Sequence, residues 1–163
     1  RNFARSLRRR LPAEVMGDAV ARVTGVTEEF DGLPPKARTM TVWNTTMSSL
    51  FLDVFGRPDA SAEAPCERDP SPTIVQFLHL MNSEKIHARI AHPDGHAASY
   101  AKGARTSGEI VEEIYLTVYA RFPTDEEREI ALSAFSAEGA TRKTAVEDLI
   151  WALLNTAEFV LNH

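Results

Sequence analysis

From Thr73 onward the apolar residues recur at helical spacing, and the pattern persists to the end of the chain. Thr73–Asn82 (TIVQFLHLMN) is nearly all apolar, which predicts a central helix buried on all sides, with Phe77 as a core anchor. Ser83 can cap a helix over Glu84–Ala91, and Pro93 and Gly95 then interrupt the pattern. A short helix over His96–Lys102 ends at Gly103. A strongly amphipathic one over Ser107–Arg121 carries Ile110, Val111, Ile114, Tyr115, Val118 and Tyr119 on one stripe. Thr124-Asp125-Glu126-Glu127 is a capping-box signature for a helix reaching about Ala137, which Gly139 closes. Thr141 or Thr144 starts the last long helix, through Leu154, with Trp151 as its core anchor. Thr156 caps a final turn over Ala157–Leu161.

Upstream of Thr73 the signals are weaker. Pro12 fits the first position of a helix that runs to Thr24, and Gly25 is its natural stop. Residues 26–44 read as irregular. Within them Thr39–Trp43 has strand composition but no evident partner strand. A short helix over Thr45–Phe55 closes at Gly56. Arg57–Pro72 then holds four prolines in 16 residues, so 56–72 is expected to be a long loop. Arg1–Arg10 carries five arginines and is expected to be a basic linker or the tail of a preceding element. The expected architecture is therefore all-α: one compact multi-helix domain over 11–163 with a long Pro-rich loop. A chain of 163 residues can bury a core large enough to need no disulfide or metal.

The formal net charge of −5 gives no overall pull toward nucleic acid or an anionic membrane. No run of about 18 apolar residues occurs, so no membrane insertion is expected. Cys66 is the one cysteine and has no internal partner. His92 and His96 have the spacing of two metal ligands on one helix face, but Pro93 and Gly95 break that helix. His79 reads as a core histidine. Neither a metal site nor a cofactor is expected. Glu112, Glu113, Asp125, Glu126, Glu127 and Glu129 fall on solvent faces or in a first helical turn, where carboxylates favour the helix dipole. No phosphate loop, nucleophile elbow, zincin or EF-hand pattern is present.

Two clusters remain as candidates. Cys66, Glu67 and Arg68 are expected to act as a structural clamp. Arg68 can donate to several carbonyls of the proline-rich loop, and Glu67 can accept from the helix that begins near Thr73. Trp43, beside Asn44 and Thr45, is the aromatic least tied to a core stripe. With Arg57 it is a candidate recognition residue.

Five stretches taken together resemble a known family: RRRLPAEVMGDAVARVTGV at 8–26, FLDVFGRP at 51–58, CERDPSPTIVQFLHLMNS at 66–83, IVEEIYLTVYARFPTDEER at 110–128 and DLIWALLNTAEFVLNH at 148–163. The set resembles the carboxy-terminal domain of unknown function of large planctomycete-type bacterial proteins, often fused to cytochrome c-like or immunoglobulin-like domains. That family usually shows C-x-C-E-R before the central helix. Here Ala64 stands in place of the first cysteine. The resemblance implies an exported protein whose haem motifs lie in other domains, and it brings no established catalytic residue.

Two functions compete. One is a non-catalytic helical module that packs against upstream domains of the same polypeptide or a partner protein. The other is an accessory part of an exported polysaccharide- or redox-related enzyme whose site another domain completes. Convergence of Glu67, Arg68 and Trp43 in one open pocket would favour the second.

Overall fold

The computed structural model describes residues 9–42, 48–57 and 73–162. Helix α1 spans Ala13–Thr24 and ends on Gly25, whose φ of +76° is the left-handed conformation that glycine adopts without strain. A 3-10 turn at Thr39–Thr41 occupies the segment of strand-like composition. It is tied to α1 by the Thr39 N–H, which donates to Asp18 Oδ1 at 2.5 Å. Five residues, Leu50–Val54, form α2, and α3 (Ile74–Asn82) and α4 (Glu84–Ile90) follow. Then come α5 (His96–Lys102), α6 (Ser107–Tyr119), α7 (Asp125–Phe135), α8 (Arg142–Leu154) and α9 (Ala157–Val160). The fold is all-α, and the boundaries from Thr73 onward follow the glycine, proline and threonine punctuation of the sequence.

Among the described residues four threonines open helices as N-caps whose hydroxyls accept from the backbone N–H three residues on: Thr106, Thr124, Thr141 and Thr156. Glu109 and Glu127 complete the first two boxes by accepting from the cap residue's own N–H, at 2.7 and 2.8 Å.

The centre of the fold is α8, not α3. Ala145, Val146, Leu149, Ile150, Leu153 and Leu154 are buried, and α8 packs against α1, α4, α5, α6, α7 and α9. Trp151 is partly buried at its edge rather than a central anchor. Helix α3 packs chiefly on α2 at the side of the body. It buries Gln76 and Leu80, half-buries Phe77 and His79, and turns Ile74 (77% exposed), Val75, Leu78 and Met81 to solvent. An apolar run shows that no face is polar; it does not show that every face is covered.

The end of the basic amino-terminal segment belongs to the folded body. Arg9–Arg10 forms β1 and pairs antiparallel with β2, Leu161–Asn162, in the register Arg9 to Asn162 and Arg10 to Leu161. Arg10 is only 6% exposed. Its Nη1 donates to the carbonyl oxygen of Phe55 at 2.6 Å and to that of Leu11 at 2.9 Å.

Candidate functional site

The off-centre position of α3 leaves a groove of about 500 Å³ between α2, α3 and α4. Leu50 and Phe51 form one wall, Val75 and Leu78 the other, and Ile86 the α4 side. With Ile74 and Met81 beside it, the groove continues into an exposed apolar stripe along α3. The stripe positions, 74, 78 and 81, are four and three residues apart and so share a helix face.

The groove has a polar floor. Glu28, 12% exposed, sits 3.0 Å from Nη2 of Arg89, which is 10% exposed. Ser49 Oγ donates to Glu28 at 3.4 Å, and Lys85 Nζ lies 3.9 Å away at the rim. The Glu28 carboxylate is thus committed to three donors, which is how a charge is kept at low exposure. His79 stands over the stacked rings of Phe51 and Phe55, whose centroids are 4.6 Å apart, at 5.9 and 6.4 Å from them. Burial pulls the pKa of His79 below its ordinary value, partly offset by the charge of Glu28. In the groove, His79 is a neutral ring between aromatic neighbours and an apolar opening.

A second cluster ties the far side of the molecule together. Arg121 follows Ala120, a non-glycine residue at φ +56° that ends α6. Its guanidinium binds Glu127 through Nη1 and Nη2 at 2.8 and 2.7 Å, and Glu158 through Nε and Nη2 at 2.7 and 2.8 Å. It also lies over the rings of Tyr119 and Tyr115, at 5.3 and 5.7 Å. Arg121 and the α7 N-cap backbone hold the Glu127 carboxyl down at about 2, well below the usual carboxylate range. The Tyr119 hydroxyl, pushed up to about 12 by burial, is 2.7 Å from Thr156 Oγ1 and donates to Leu153 O. Arg128 of the same stretch pairs with Glu112 across α7 and α6. Arg121, Thr124, Glu127, Thr156 and Glu158 therefore build a clamp that joins α6, α7 and α9.

The residues singled out from sequence fall differently. Trp43, Cys66, Glu67 and Arg68 lie outside the described residues, as do 58–72, most of the expected Pro-rich loop. The Arg57 side chain is 8% exposed and donates from Nη2 to Asp53 Oδ1 at 2.6 Å. His96 is half-buried, with Nδ1 3.2 Å from Val23 O, and His92 Nδ1 accepts from the Asp94 N–H at 3.2 Å. Among the described residues no three His, Cys, Asp or Glu side chains group as metal ligands, and no helix is long and apolar enough to cross a membrane.

No curated protein and no solved structure matches this chain. The family described as "Protein of unknown function (DUF1553)" matches residues 1–135, which takes in the groove, the Arg89–Glu28 pair and the Arg121–Glu127 half of the clamp. The chain belongs to that family.

Proposed function

We propose that this chain is a non-catalytic helical module that packs, by the α2–α3–α4 face, against another protein surface: an upstream domain of the same polypeptide or a partner protein. The carrying observation is the contiguous exposure of Leu50, Ile74, Val75, Leu78 and Met81 beside the groove. Exposed apolar side chains in a single continuous patch, rimmed by polar groups such as Asn82, Glu84 and Lys85, are the usual mark of an interaction surface. The ionisable groups of the groove agree with this reading, because Glu28 and Arg89 are spent on each other. Support for an extracytoplasmic location comes from the family resemblance alone. The accessory-enzyme alternative rests on the family context with Glu67, Arg68 and Trp43, which lie outside the described residues.

The test is hydrogen exchange over 74–82 in this chain alone and in the longest natural polypeptide that carries it. Slower exchange in the longer polypeptide, abolished by Leu78→Glu, is the expected result. Equal exchange in the two, with no protein cross-linked in the native host to a photoreactive side chain at position 78, would overturn the proposal.

A further inference from the structure

Helix α2 is five residues long, too short to hold itself, since one turn fixes more dihedral angles than its hydrogen bonds repay. Its ends are held from outside. At the amino end Ser49 Oγ accepts from the Leu52 N–H at 3.4 Å and donates to Glu28. Near the carboxy end Gln76 Nε2 of α3 donates to Val54 O at 3.2 Å. The last carbonyl, that of Phe55, accepts from Arg10 Nη1 at 2.6 Å, which puts a cation at the negative end of the helix. The guanidinium also lies 5.8 Å from the Phe55 ring. Gly56, at φ +73°, makes room for it: a Cβ there would come within 3.2 Å of Arg10 Nη2.

The strand that carries Arg10 is short: β1 has two residues and pairs antiparallel with β2, and Leu11 adds a bond, its N–H to Val160 O at 3.3 Å. The line of contact then runs from Arg10 to Phe55, from Phe55 to Phe51 by stacking, and from both rings to His79. Phe51 and His79 line the groove.

We propose that β1 is a conformational strap: Arg10 fixes α2, and through it the Leu50–Phe51 wall of the groove, so that lifting β1 from β2 frees that wall. A segment pulling on the chain ahead of Arg9 would thereby alter the groove. The strap does not depend on the groove being a docking face, and its test needs no partner.

Hydrogen exchange in the full chain reads it directly. Arg10→Met should speed exchange of the amides at 52–57 by at least about tenfold, the factor that one lost charge-assisted hydrogen bond corresponds to, with α6 and α8 unchanged. Truncation after Val160 leaves Arg10 in place and removes its partner strand. It should speed the same amides, and it decides the matter if Arg10→Met does not fold. Unchanged exchange at 52–57, or an equal acceleration across α6 and α8, would overturn the strap. Neither result bears on whether α3 binds another surface.

Discussion

Arg89 of α4 lies 3.0 Å from the carboxylate of Glu28, in the segment that follows α1, and each side chain is about one-tenth exposed. The pair pins the irregular segment to the helical body at the floor of the groove. Arg89→Met leaves a poorly hydrated carboxylate with only Ser49 and the rim Lys85. It is expected to cost about 3 kcal/mol in urea unfolding. The double variant Glu28→Gln with Arg89→Met should recover part of that loss, because no charge is then stranded.

The two faces of α3 should respond oppositely to truncation. Leu80 is 1% exposed, and Leu80→Ala is expected to cost about 2–5 kcal/mol. Ile74→Ser removes a side chain largely in water and should change stability by less than about 0.5 kcal/mol, and Leu78→Ser, at a half-exposed groove position, by less than about 1 kcal/mol. Phe77→Ala, at a half-buried position, should fall between them. A large loss at Leu78 in the isolated chain would show that this face is covered from within.

Arg121 cannot be replaced by lysine. A lysine ammonium cannot present the planar fork that binds two carboxylates at once. With about a third of the side chain in solvent, Arg121→Lys is expected to cost about 1–2 kcal/mol, read as a lowered Tm, and to loosen α9 in particular.

The same cluster sets an acid limit. The Glu127 carboxyl titrates at about 2 in the folded chain and higher when unfolded, so the unfolded state takes up protons first as pH falls. The stabilisation is complete above about pH 5 and is lost as pH falls toward about 2. Glu127→Gln should flatten the dependence of the urea midpoint on pH in that window. Equal slopes for the two proteins would show that Glu127 is not held by Arg121 in solution.

Gly25 is predicted to be intolerant. Its φ of +76° disfavours any side chain, and a Cβ there would stand 2.6 Å from Cδ2 of His96, which is placed by its contact with Val23 O. Gly25→Ala is expected to lower stability by more than about 2 kcal/mol in thermal unfolding. Gly139, also at positive φ but with nothing within 4 Å, should lose only about 1 kcal/mol on the same change.

The helix boundaries from Thr73 onward were legible because local chemistry sets them, whereas the second helix, expected from Thr45, begins at Leu50 behind the Ser49 cap. Gly25, Gly56, Gly103, Thr124 and Thr156 act on the turn they sit in, and each marks an end in the structure. The position of α3 was not legible. Its nine residues include no charge, so composition could not tell the face on Leu80 from the face on Leu78. The burial of Arg10 was not legible for the opposite reason: an arginine among arginines suggests solvent, and the Phe55 carbonyl that helps make burial tolerable lies 45 residues away. Glu127 was read as a first-turn carboxylate, which it is. Its second bond, to an arginine that also holds Glu158, spans elements no local pattern connects. The available signal was the joint presence of RFPT-x-EER and LLNT-x-EF, whose residues turn out to touch.

Pairing Arg9 with Asn162 also decides how the domain would respond to force. The two ends of the described body sit side by side, about one strand spacing of 5 Å apart. Such a unit can be set into a loop of a host protein without spreading the host's own strands. Drawn apart at those points, β1 and β2 would part like a zipper, one rung at a time, rather than shear as a block. The first buried side chain along that tear is Arg10, so tension across the pair would be felt at Phe55 well before it reached α8.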